Sequence, residues 1–164
     1  MASVNEIFSD QNVLDQLEKW VAKYPKEQRQ SAVIPGLHVI QKANGGHLTV
    51  ELMQKLAAYL DMPEASVYEV ATFYGMYDLT PVGRHKLNVC DNISCMLNGA
   101  ETIIQHIENR LGVKVGQTTQ DGRVTLRTVE CQGACCGAPM LEVDEVFYEN
   151  LTPEKVDQII DSLE

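Results

Sequence analysis

Through the first 80 residues apolar positions recur at three- and four-residue steps, the period of helices that each bury one stripe. Val13, Leu14, Leu17, Trp20, Val21 and Tyr24 make such a stripe, and Pro25 stops it. A second segment, Ala32 to Ile40, runs on to Gly45-Gly46, and the Pro35-Gly36 pair inside it is expected to start the helix or to kink it. Thr49 is placed to cap a third helix carrying Leu52, Met53, Leu56 and Leu60. A fourth follows Pro63, with Ser66 and Glu69 at capping-box spacing ahead of Val70, Phe73 and Tyr74. Residues 1–80 therefore read as a small helical bundle. Its late aromatics and methionine, Tyr74, Met76 and Tyr77, suit a surface that packs on a larger partner.

The period changes after Thr80-Pro81-Val82-Gly83. His85 to Cys90 and Arg123 to Val129 alternate apolar with polar residues, as half-buried strands do. Pro139 to Val143 is a short apolar strand, and Val146-Phe147-Tyr148 is its hairpin partner across Asp144-Glu145. Asn98 is expected to cap a helix with Ile103, Ile104, Ile107 and Leu111 on one face, ending at Gly112, with another strand near Val113 to Val115. Thr152-Pro153-Glu154 opens a last helix, its cap and proline in favoured positions. Residues 81–164 thus predict a mixed sheet with helices packed on it, of thioredoxin-like type, and the whole chain is α+β.

Composition restricts function more than fold. With 45% hydrophobic and 22% charged residues in 164, a buried core is ordinary. Thirteen Lys and Arg against 23 Asp and Glu leave a net charge of −10, which repels phosphate backbones and anionic lipid. Nucleic acid and anionic membrane are therefore poor partners. The acid is concentrated late, with eight acidic residues and one basic residue, Lys155, from Cys131 onward. No run approaches the ~20 apolar residues that span a bilayer. The first residues resemble neither a secretory nor a transit segment, so a cytoplasmic location is expected. Dinucleotide and phosphate loops, a zincin helix and a nucleophile triad are all missing, so the chain is expected to bind neither NAD nor flavin by itself and no catalytic residue is assigned. His38, His47, His85 and His106 have no second histidine at ligand spacing and read as packing or solvent residues.

The candidate chemistry lies in cysteine. All five cysteines follow residue 89. Cys90 and Cys95 form C-x4-C at the end of the first strand, and Cys131 and Cys135 form C-x3-C after a later one. Loops after neighbouring strand ends can bring four thiolates to one centre, and in an intracellular chain such cysteines point to metal binding or redox chemistry. Spacing leaves structural zinc open. The wider steps, and Gly133, Ala134, Gly137 and Ala138, which let backbone N–H groups approach, favour a 2Fe-2S cluster. A dithiol oxidoreductase would need C-x-x-C at a helix start, and none occurs. Cys136 reads as a small buried residue and no ligand.

At these residues the chain resembles a family, the small 2Fe-2S subunits of the NADH-oxidising module of respiratory complex I. That family's signature runs D-x2-F-S/T-x5-C-L-G-x-C-x2-G/A-P, and Asp121 to Pro139 reads DGRVTLRTVECQGACCGAP. Val124 stands for the phenylalanine and Gln132 for the leucine, and neither position is a ligand. VYEVATFYGMYDLTPVGRH and VCDNISCMLNG are also similar to the family, and the run PVGRH favours complex I. The resemblance implies a helical region followed by a thioredoxin-like domain, one 2Fe-2S cluster on Cys90, Cys95, Cys131 and Cys135, and electron transfer. It implies a partner subunit that binds FMN and NADH, within the peripheral arm on the cytoplasmic side of the inner membrane. In that family the cluster lies off the main wire to quinone. Related subunits serve NAD-linked hydrogenases and formate dehydrogenases, and a zinc-stabilised adaptor is the alternative of a different class.

Overall fold

In a computed structural model, which describes residues 3–163, the chain divides into two compact units, one up to Pro81 and one from Val82 on. The first is helical: α1 (Val4–Ile7), α2 (Gln11–Val21), a 3-10 helix (Lys26–Ala32), α3 (Val33–Ala43), α4 (Val50–Leu60) and α5 (Glu64–Phe73). The predicted stripes meet in one core, where Leu17, Leu37, Ile40, Leu52, Leu56 and Leu60 are closed to solvent. α1 escaped the periodicity because it is barely one turn long; its start is held by a capping box between Ser3 and Glu6. Pro35 sits in the first turn of α3, where a missing N–H leaves no helical bond unmade. Thr49 caps α4 as predicted, its hydroxyl accepting from the Leu52 N–H at 3.2 Å.

Two local expectations are corrected. Ser66 is not a cap: α5 begins directly after Pro63, so the Ser66 N–H already bonds the Pro63 carbonyl at 3.1 Å. The fixed φ of proline sets the entry to this helix and leaves the capping-box spacing unused. Tyr77 is not a surface residue, since it is buried with its hydroxyl donating to the Ile34 carbonyl at 2.8 Å. Burial pushes its phenol up to about 12. Phe73, Tyr74 and Met76 stay exposed.

The second unit holds a four-stranded sheet of β1 (His85–Cys90), β2 (Val124–Val129), β3 (Leu141–Val143) and β4 (Val146–Tyr148), in the order β2-β1-β3-β4. β1 pairs parallel with β2 and antiparallel with β3, and β3-β4 is the predicted hairpin. Asp144 and Glu145 both take positive φ, the conformation of a two-residue hairpin turn. Three helices complete the unit: α6 (Ile93–Leu97), α7 (Ala100–Leu111) and α8 (Pro153–Ser162). Ile103 and Ile107 from α7 and Val156 and Ile160 from α8 share a core with Leu87 and Leu126 of the sheet. His106 and Arg110 of α7 meet Asp157 and Asp161 of α8 at 2.9 and 2.7 Å. Among the described residues no helix is long and apolar enough to cross a membrane.

Asn98 is a further correction. It ends α6, with its side-chain amide donating to the Ser94 carbonyl at 2.7 Å, and α7 starts after Gly99 with no side-chain cap. The strand expected near Val113 to Val115 is also absent from the described residues, because the chain turns between Lys114 and Gln117. Pairing resumes only as an isolated bridge of Thr118 with Thr125, which lies along the open side of β2.

Gly83 enters the sheet where β1 and β2 begin. Its N–H donates to the Thr125 hydroxyl at 2.7 Å, and a Cβ there would lie 2.9 Å from the Val124 carbonyl carbon. The obstacle is backbone, which cannot rotate away. Gly83→Ala should therefore lower the unfolding free energy by about 1–3 kcal/mol, read from the urea midpoint. Leu126→Ala, which empties a fully buried position, should lower it by about 2–5 kcal/mol.

Candidate metal centre

Parallel pairing builds the site. In the β1-β2 register Cys90 lies opposite Val129, so both strands end at one edge and release their loops side by side. The first loop turns at once into α6, whose start is capped by Asn92 accepting from the Ile93 N–H at 3.0 Å. That single turn carries Cys95 back under the end of β1. The second loop runs from Glu130 through Cys131 and Gly133 to a short 3-10 turn, Cys135–Gly137. Its path is tied to the first by the Asp91 N–H on the Val129 carbonyl at 3.3 Å, and the Asn92 amide also donates to the Glu130 carboxylate.

The four predicted thiols come together as two pairs with different surroundings. Cys90 and Cys95 are 2% and 1% exposed and packed together with Ala100 and Met140. Burial pushes the Cys95 thiol up to about 11, and the neighbouring Cys90 thiol adds to the shift. Cys131 and Cys135 are exposed, with their sulfurs 3.4 Å apart. The Gly133 N–H, aimed by a φ of +83° that suits glycine, donates to the Cys131 sulfur at 3.4 Å and holds that thiol below its ordinary pKa. Cys135 moves the other way, raised by the hydrogen bond with Cys131 and partly relieved by the Ser94 hydroxyl. The pairs sense one another, because the charges of both Cys131 and Cys90 raise Cys135. Among the described residues no three His, Cys, Asp or Glu side chains converge as a cage for one ion.

Cys136 is exposed, which corrects the buried position expected for it. It lies on the short 3-10 turn Cys135–Gly137 with its side chain outward. Sequence reasoning also missed Asn92, Ser94 and Glu130, which join the two loops. The only signal for Asn92 and Ser94 was the Asn-x-Ser run just ahead of Cys95, and none marked Glu130.

Residues 17–164 match the family of thioredoxin-like 2Fe-2S ferredoxins, and the chain belongs to that family. One relative is an NADH-quinone oxidoreductase subunit from Rickettsia bellii, 41% identical over 154 residues, 94% of this chain and 92% of that protein. Another is the mitochondrial NADH dehydrogenase (ubiquinone) flavoprotein 2 of Dictyostelium discoideum, 41% identical over 156 residues, 95% of this chain and 63% of that protein. Among solved structures, an air-oxidised NAD+-reducing NiFe-hydrogenase superposes with a TM-score of 0.66 at 21% identity, over 77% of this chain and 22% of that one, a likeness of fold.

Thiol reactivity in the metal-free protein follows from these surroundings. At pH 7 a thiol with a pKa about 11 is ionised to roughly one part in ten thousand. Alkylation with iodoacetamide, mapped by mass spectrometry, should label Cys131 at least about tenfold faster than Cys95, with unfolding in urea abolishing the difference.

Proposed function

We propose that the chain is the electron-transfer subunit of an NADH-quinone oxidoreductase and that it holds one 2Fe-2S cluster on Cys90, Cys95, Cys131 and Cys135. The observation that carries this reading is the arrival of two thiol pairs at one edge of the sheet. A two-iron centre asks each iron to be met by two thiolates, and the donor set is of that kind. A single zinc would ask all four sulfurs to close on one point. When bound, such a cluster supplies one-electron transfer.

The chain's own residues hold the ligands and modulate their charge. The apolar floor of Ala100 and Met140 excludes water beneath the inner pair, and the Gly133 N–H and Ser94 hydroxyl donate toward the outer sulfurs. The sequence carries no dinucleotide or phosphate loop, and a one-electron carrier needs a flavin on another chain to take up two-electron chemistry from NADH. The partner is accordingly the flavin- and NADH-binding subunit, with the assembly on the cytoplasmic side of the membrane. Relatives at about 41% identity that carry the names of NADH-quinone oxidoreductase and NADH dehydrogenase components support this assembly.

Anaerobically purified protein should be red-brown and contain two irons per chain, since sulfide-to-iron charge transfer absorbs in the visible; colourless protein with stoichiometric zinc overturns the reading. Single replacement of Cys90, Cys95, Cys131 or Cys135 by Ala should abolish or remodel the reduced-state EPR signal, and Cys136→Ala should keep it.

The helical unit contains none of these cysteines and has its own core, which suits a docking element. Exposed Phe73, Tyr74 and Met76 give it apolar contact surface. A chain beginning near Thr80 should therefore assemble its cluster and co-purify poorly with the flavin subunit. Equal capture of the short and full-length chains assigns docking to the sheet unit instead.

A further inference from the structure

The two cysteine loops leave neighbouring strands, but strand pairing ends at Cys90 and Val129, so it does not by itself set the gap between Cys95 and the Cys131–Cys135 pair. Beyond that point α6 and the second loop are joined by side chains. Asn92 has both ends of its amide engaged: the oxygen accepts from the Ile93 N–H at 3.0 Å and the nitrogen donates to the Glu130 carboxylate. The Glu130 carbonyl in turn accepts from the Gln132 side chain at 3.2 Å, across Cys131. Two residues further along the same chain segment, the Ser94 hydroxyl lies close enough to Cys135 to lower its thiol pKa.

We infer that Asn92 and Glu130 are positioning residues: they form a brace that fixes the outer thiol pair relative to α6 and so governs how firmly the site retains its metal. The inference rests on the cluster assignment made above. Asn92 serves two purposes with one amide. Its oxygen starts the helix that carries Cys95, and its nitrogen anchors the residue immediately before Cys131. Removing the brace leaves the ligands present and frees the second loop, whose cysteines are exposed and whose apolar packing comes from Ala134 and Ala138 at its turn. A loop with few buried contacts opens readily, and each opening offers a thiolate to competing chelator or solvent.

The test separates capping from bracing. Ser is a good N-cap, so Asn92→Ser keeps the start of α6 but is too short to reach Glu130. Glu130→Ala removes the brace from the other side, whereas Glu130→Gln keeps an acceptor for the Asn92 amide and removes the charge. Cluster loss from the full-length protein into excess chelator is followed by visible absorption. Asn92→Ser and Glu130→Ala should each accelerate loss roughly fivefold, the double variant no more than either one, and Glu130→Gln should stay close to the parent rate. The Glu130→Gln midpoint potential should rise, since a negative charge beside Cys131 is gone. Parent-like loss from both Asn92→Ser and Glu130→Ala, or additive effects in the double variant, overturns the brace. A parent protein that shows no 2Fe-2S absorption at all overturns the cluster assignment instead.

Discussion

Six residues of parallel pairing between β1 and β2 decide where the chemistry lies. Because side chains alternate along a strand, a slip of one residue would turn Cys90 to the opposite face while leaving Cys131 near its place. The register is held by Leu87 opposite Leu126, both inaccessible to solvent, and by the backbone contact at Gly83 where the strands begin. The same pairing sends both loops out at the carboxyl edge of the strands, the usual location of sites in sheets with parallel crossovers. Hydrophobic burial in the sheet core therefore determines the placement of thiols that contribute little to that core themselves.

The two thiol pairs differ in what supports them. The inner pair belongs to a packed floor, so its sulfurs are placed by the same forces that fold the unit. Such a position is good for precision and unfavourable for charge, as the raised Cys95 pKa shows. The outer pair stands exposed in a loop, with a hydrogen bond from the Gly133 N–H on Cys131 and the Ser94 hydroxyl lowering the Cys135 thiol pKa. Donors aimed at sulfur favour the more negative state of a thiolate centre, and they act here on the side open to solvent.

How legible these features were in the sequence depended on length and on direction. α2, α4, α7 and α8 bury stripes over ten or more residues, enough for period to override any single residue. α6 has five residues and shows Ile93, Met96 and Leu97 to solvent, with Cys95 as its buried residue, so its pattern is inverted and no stripe could reveal it. Asn98 points to the wrong helix because one polar residue lies between two helices that nearly touch. Cysteine spacing showed which thiols share loops, while burial of one pair and exposure of the other follows from tertiary packing that spacing does not encode. Cys136 shows the same limit: small size argues for burial, and a single 3-10 turn overrides it.

Stability and function are thus separable within the sheet unit. The core of Leu87, Leu126, Ile103, Ile107, Val156 and Ile160 contains no cysteine, and the small apolar group beside the site contains two. With the proposed ligands, a fold so arranged would keep its sheet core when metal is absent, because that core contains none of the thiols. On the proposed assignment the loop of Cys131 and Cys135 is also the exposed side, from which an electron would pass to a partner. Access for transfer therefore calls for an open edge, and retention has to come from polar contacts such as those of Asn92 and Ser94 rather than from deeper burial.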